Sequence, residues 1–183
     1  MDVRTEPIVG RGDIVLLGDS LTEGGAWQEL LPGLPVRNLG VGGDTAAGVR
    51  RRLRPVAEGR PAQVFLLIGT NDVALGRDLD AIAADTAAIL AELRRATPRT
   101  RLHLQSVPPR TAPYTARIRD LNARYQRAAA EHGAQYLDLW PALADAEGRL
   151  RAEFTADGLH LLPAGYRAWT GELRPRLAAA GAG

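Results

Sequence analysis

Short apolar runs alternate with amphipathic stretches along the whole chain, and this alternation restricts the fold more than any single motif does. Asp13-Ile14-Val15-Leu16-Leu17-Gly18 reads as a buried strand that stops at a glycine. Val36 to Gly40 is a weaker second strand. Val64 to Gly69 is a continuous apolar run suited to a sheet covered on both faces. Leu102 to Val107 and Gln135 to Leu139 supply a fourth and a fifth strand. Between them, Val49, Leu53 and Val56 form an i, i+4, i+7 stripe behind Asp44, which is placed to be the N-cap. Leu79 to Leu93 carries a long helical pattern that ends before Pro98. Ile118, Leu121, Tyr125 and Ala128 mark another helix, with Gly133 at its C′ position. Pro163 opens a last helix through Tyr166, Trp169 and Leu173. Five strands alternating with helices predict an α/β domain with a mainly parallel sheet.

A length of 183 residues, without repeats or a linker, fits one domain spanning 1–183. Its core is expected at about 13–178, between an N-terminal arm (1–12) and a C-terminal Ala/Gly tail (179–183) that frays. The absence of cysteine excludes disulfides, thiolate metal sites and a Cys nucleophile. All 23 basic residues are arginine, and the absence of lysine excludes Schiff-base and P-loop chemistry. A formal charge of +2 carried by non-titrating arginines does not make a basic protein, so neither nucleic acid nor an anionic membrane is implied. Met1 to Glu6 shows no signal-peptide pattern, and no apolar run reaches the ~18 residues of a span. A cytoplasmic protein is expected.

Ligands of open parallel sheets bind at the carboxyl ends of the strands, and here those ends are chemically loaded. The first strand leads into Gly18-Asp19-Ser20-Leu21-Thr22, the second into Gly40-Val41-Gly42-Gly43-Asp44-Thr45, and the third into Gly69-Thr70-Asn71-Asp72. Beyond the fifth comes Asp157-Gly158-Leu159-His160. A serine hydroxyl is a weak nucleophile that needs a base, itself oriented by a third group. Ser20, His160 and Asp157 can fill those three roles. Ser20 N–H, Gly43 N–H and the Asn71 amide are candidate donors to an oxyanion. Gly43 could equally serve only a tight turn, and Asn71 could merely bridge its own loop.

Gly18-Asp19-Ser20-Leu21, Gly43, Gly69-Thr70-Asn71-Asp72 and Asp157-Gly158-Leu159-His160 together resemble, in order, the four blocks of the SGNH (GDSL-type) esterase/lipase family. The resemblance runs roughly from Ile14 to Trp169. Within it, Asn38 to Thr45 and Gly69-Thr70-Asn71 look most like the platelet-activating-factor acetylhydrolase catalytic-subunit branch and its bacterial relatives. The resemblance implies a single-domain, three-layer α/β/α flavodoxin-like sandwich with Ser20, Asp157 and His160 as triad. It also implies Ser20, Gly43 and Asn71 as the oxyanion hole, no metal and no cofactor, and a monomer or homodimer. The α/β-hydrolase elbow G-x-S-x-G is absent around Ser20, and Gly40 to Gly43 lacks the dinucleotide spacing.

The expected activity is hydrolysis of short-chain, acetyl-type carboxylic esters, because the spans between motifs leave no room for a lid or a long acyl tunnel. Lysophospholipase, thioesterase or O-acyltransferase chemistry on the same triad is the alternative, and a catalytically silent binding module is disfavoured. Asp19, Val107 and Pro108 are expected to line the substrate pocket, with Asp19 bonding local backbone rather than a metal. Arg50-Arg51-Arg52-Leu53-Arg54 reads as a solvated face. His103 reads as a bonded structural residue and His132 as a helix C-terminal cation. Trp27, Trp140 and Trp169 read as core or pocket wall.

Overall fold

The computed structural model describes residues 7–178, so residues 1–6 of the expected arm and the whole 179–183 tail lie outside the described residues. In chain order the elements are β1 (Ile14–Gly18), α1 (Ser20–Glu23), α2 (Trp27–Leu30), β2 (Val36–Gly40), α3 (Ala46–Arg51), α4 (Arg54–Gly59), β3 (Gln63–Leu67), α5 (Thr70–Ala74), α6 (Leu79–Ala96), β4 (Arg101–Gln105), α7 (Thr115–Glu131), β5 (Gln135–Leu137), α8 (Trp140–Leu143) and α9 (Pro163–Ala178). The strands lie in the order β2-β1-β3-β4-β5, and every pairing is parallel. This is the flavodoxin-like order, whose switch point falls between β1 and β3.

Alternation with period two sends successive side chains of the central strands to opposite faces. Val15, Leu17, Val64, Leu66, Leu102 and Leu104 meet Val49, Ile82, Ile89, Leu93, Ile118 and Leu121 on one face. Ile14, Leu16, Phe65 and Leu67 meet Leu21, Trp27, Leu143, Trp169 and Leu173 on the other. The helices α3, α4, α6 and α7 thus cover one side, and α1, α2, α8 and α9 cover the other. All of β3 is buried, as its unbroken apolar run requires. The edge strand β2 exposes Arg37 and Asn38 between buried Val36 and Leu39. Among the described residues no helix is long and apolar enough to cross a membrane.

Three local expectations are corrected. The Val49–Val56 stripe is buried as predicted, but it belongs to two helices. α3 stops at Arg51, and Pro55, which has no N–H to donate, sits in the first turn of α4. The N-cap of α3 is Thr45, whose hydroxyl accepts from Gly48 N–H, and not Asp44. The last three strands also end sooner than their apolar runs, β3 at Leu67, β4 at Gln105 and β5 at Leu137. Asp13 precedes β1, its carboxylate accepting from Gly10 N–H and Arg37. β5 stops at Leu137 because Asp138 caps Trp140 N–H and Ser106 Oγ accepts from Leu139 N–H.

His103 is fully buried, stacked 4.1 Å from Phe65, with Nε2 2.9 Å from Gln63 Oε1. Burial, helped by Arg101 and Arg176, pushes its pKa down to about 4. Between roughly pH 6.5 and 4 the unfolded chain therefore binds a proton that the fold refuses. Falling pH destabilises the fold by up to about 3 kcal/mol through this residue. Asp19, raised by burial to about 7, acts with opposite sign over much of the same window. The His103 contribution is isolated by difference. His103→Asn should be less stable than the parent at pH 7.5, and thermal melts should show that gap narrowing by pH 4.5. A gap independent of pH would contradict the account.

Candidate active site

Three glycine-ended turns build the carboxyl edge. A Cβ on Gly18 would stand 2.3 Å from Leu67 O and 2.5 Å from Thr22 Oγ1, so β1 passes into the next turn without room for a side chain. Asp19 then caps α1, its Oδ1 accepting from Leu21 N–H at 3.0 Å, and Ser20 becomes the first residue of the helix. The Ser20 N–H therefore lies among the first helical amides, which have no acceptor within the helix. Beneath α1, Tyr166 donates to Leu21 O at 2.7 Å and packs with Trp27 and Trp169, which fixes the height of Ser20 above the sheet.

The loop after β2 folds over Ser20. A Cβ on Gly42 would lie 4.0 Å from Ser20 Cβ. Gly43 has φ +75°, a conformation that favours glycine, within a turn closed by Asp44 N–H on Val41 O. Its own N–H makes no hydrogen bond among the described residues. The turn alone explains a glycine there, and the free amide is a further property of the same turn. Asn71, the second residue of α5, does not bridge its own loop. Its Nδ2 donates to Asp44 O at 2.9 Å, which ties the end of β3 to the Gly43 turn. Next to it, the buried Asp72 accepts from Ala46 N–H at 3.0 Å and pairs with Arg77, fastening α5 to the start of α3.

The fourth segment lies before α9. An isolated antiparallel bridge, Thr155 to Leu161, closes the loop that carries Asp157 and His160. Thr155 Oγ1 accepts from Gly158 N–H and donates to His160 O at 2.8 Å. Gly158 has φ +81°, and a Cβ there would meet Thr111 Cγ2 at 2.4 Å. Within this frame His160 Nε2 lies 3.1 Å from Ser20 Oγ, and His160 Nδ1 lies 2.6 Å from Asp157 Oδ2. Asp157 Oδ1 accepts from Leu159 N–H and His160 N–H at 2.9 and 2.7 Å. The His160 contact, followed by these two amides, holds the Asp157 carboxyl well below the usual carboxylate range. An ionised carboxylate, an imidazole and a hydroxyl in one hydrogen-bonded row can pass a proton from Ser20 to His160.

Ser20, Asp157, His160, Gly43 and Asn71 are thus gathered at one edge of the sheet. The residues expected to touch substrate are not on its surface. Asp19 and Val107 are 0% exposed and Pro108 is buried, so none of the three offers a face to a ligand here. Asp19 lies under the site, with Oδ2 unpaired and its pKa raised to about 7 by burial. Arg52, read from the sequence as solvated, instead bonds Asp44 and two strand-end carbonyls. No sequence signal separates it from Arg50, Arg51 and Arg54. Thr155 was also missed, because a lone threonine in a loop carries no pattern.

The model of the GDSL-like lipase/acylhydrolase family matches residues 16–168. Subunit alpha1 of platelet-activating factor acetylhydrolase IB from Bos taurus and from Homo sapiens is 29% identical over 164 residues, covering 84% of this chain and 70% of theirs. A solved Streptococcus pneumonia protein described by reference to platelet activating factor is 28% identical, with a TM-score of 0.85 over 92% of this chain and 85% of its own. A GDSL-like lipase from Bacteroides thetaiotaomicron is 25% identical, with a TM-score of 0.77 over 96% and 92%. The fold and these matches define a carboxylic ester hydrolase. The chain belongs to the GDSL-like lipase/acylhydrolase family.

Proposed function

We infer that this hydrolase cleaves short-chain, acetyl-type carboxylic esters through an acyl-enzyme on Ser20. The observation that carries the reading is the row Ser20 Oγ, His160 and Asp157 set beside the Gly43 turn and the Asn71 amide. Ser20 Oγ attacks the ester carbonyl carbon while His160 Nε2 takes its proton, and ionised Asp157 stabilises the imidazolium. The tetrahedral oxyanion is received by Ser20 N–H, Gly43 N–H and the Asn71 amide proton not committed to Asp44 O. The intermediate collapses, His160 returns the proton to the departing alcohol, and Ser20 keeps the acyl group. Water, deprotonated by His160, then releases the acid and restores the serine. Residues 13–178 act as the core of one domain in this scheme.

Three features support a small acyl group. Only Ile68 and Gly69 separate β3 from α5, and the loop between β2 and α3 runs from Val41 to Thr45, too short for a lid. The His160 side chain is 52% exposed, so the seat beside it is open. With burial worth about 25 cal/mol per Å² of apolar surface, an open seat gives a long chain little gain over a short one. The matched relatives also carry acetylhydrolase in their names. The test is kcat/KM on p-nitrophenyl acetate, butyrate, octanoate and palmitate. The acetate or butyrate ester should be turned over best. A maximum at octanoate or beyond would overturn the short-chain reading, and predominant transfer to added alcohols would turn hydrolysis into acyl transfer.

A further inference from the structure

Arg52 makes three directional contacts at the point where the site is assembled. Its Nη2 donates to Gly18 O at 2.8 Å, its Nη1 to Leu39 O at 2.9 Å, and its Nε to Asp44 Oδ2 at 2.7 Å. Gly18 O is the carbonyl two residues before Ser20, and it also accepts from Val41 N–H at 3.0 Å. Leu39 O lies at the end of β2. Asp44 follows Gly43, its side-chain Oδ1 accepts from Thr45 N–H, and its backbone carbonyl holds Asn71 Nδ2. One planar cation therefore joins the strand that delivers the nucleophile, the strand that delivers the glycine turn, and the residue that holds the amide. Its side chain is 27% exposed and that of Asp44 is 12%, so the pair is held largely out of water.

We propose that Arg52 is a positioning residue that fixes the Gly43 turn and Asn71 relative to Ser20, and so sets the oxyanion geometry. The inference rests on the acyl-enzyme reading above. A guanidinium suits the task because its fork presents several donors in fixed directions, whereas an ammonium is a point charge on a flexible stem. Without it, Asp44 keeps its carboxylate but loses the partner that orients it, and the Gly43 N–H and Asn71 amide lose their common anchor. Arg52 does not touch the reacting atoms. Its loss acts on a hole that must match a tetrahedral oxygen, and a shift of about 1 Å there costs on the order of 10²-fold in rate.

The experiment compares Arg52→Met, Arg52→Lys and the neighbouring control Arg51→Met, with p-nitrophenyl acetate as substrate and active sites counted by fluorophosphonate titration. Arg52→Met should lower kcat by about 10–100-fold with KM within about twofold. The Ki of an alkylboronic acid, which forms a tetrahedral adduct on the serine, should rise by a similar factor. Arg52→Lys should recover only part of the loss, and Arg51→Met should match the parent. Should Arg52→Met not fold, Asp44→Asn, which weakens the same contact from the other side, should show the same kcat and boronate losses in smaller measure. Unchanged kcat and boronate affinity per titrated site would overturn the proposal, as would full activity with lysine. A parent protein that neither hydrolyses the ester nor titrates would instead overturn the acyl-enzyme reading, so the two failures are distinguishable.

Discussion

Alanine at Ser20 or at His160 should lower kcat for p-nitrophenyl acetate by on the order of 10⁴–10⁶-fold, and the double variant should lose no more than either single one. The expectation follows from one hydrogen-bonded row. A hydroxyl 3.1 Å from Nε2 is nucleophilic only while that nitrogen takes its proton, and the proton that His160 later gives the departing alcohol is the one taken from Ser20. Once either member is gone the other contributes nothing, so the losses do not add. Asp157→Asn should cost less than either, since it leaves base and nucleophile in contact and removes the orienting charge. Steady-state rates for the four proteins, each corrected for folded fraction, decide the matter. Additive losses would mean that Ser20 and His160 act in separate steps, and near-parental turnover of Ser20→Ala would remove the nucleophile from the scheme.

The largest effect on stability is expected at Gly40. A Cβ there would stand 2.2 Å from Glu23 N, 2.7 Å from Glu23 Cα and 2.8 Å from Asp19 O. All three atoms are backbone, so no rotamer change relieves the overlap, and β2 and α1 must move apart. Overpacking of this kind costs about 3 kcal/mol or more, which for a chain of this length lowers Tm by roughly 6–12 °C. Because Asp19 and Glu23 bracket Ser20, Gly40→Ala should also cost activity in whatever fraction still folds. Gly12→Ala is the matched control, since nothing lies within 4 Å of its Cβ, and it should melt with the parent. Equal melting temperatures for the two variants would show that β2 and α1 are not packed as described.

Gly40 also marks a limit of what could be read from the chain. Its place at the end of a strand was legible from Val36 to Leu39, yet nothing in the sequence tells that α1 lies against it. The long helices α6, α7 and α9 were legible because each repeats its apolar spacing over several turns and carries a stop or start signal at Pro98, Gly133 or Pro163. The helices α1, α2, α5 and α8, of four or five residues, are too short for a period to be visible. Asp44 and Thr45 are both good capping residues, and the choice between them is made by Arg52, which takes the Asp44 carboxylate. The same tertiary pairing hid Arg52 among its exposed neighbours. Asp19, Val107 and Pro108 were placed by their nearness in sequence to the strand ends, and burial is a property that nearness does not report. In contrast, Ser20, His160 and Asp157 were legible as a group, since parallel strands deliver their loops to one edge whatever the packing beneath.

The proposed chemistry turns on a covalent intermediate at Ser20. Incubating the protein with a fluorophosphonate and mapping the adduct by peptide mass spectrometry tests it most directly. One phosphonyl group per chain is expected, on Ser20, with esterase activity lost in step with labelling and no adduct on Ser20→Ala. Activity that persists while Ser20 is fully labelled, or inactivation with the adduct on another residue, would contradict it.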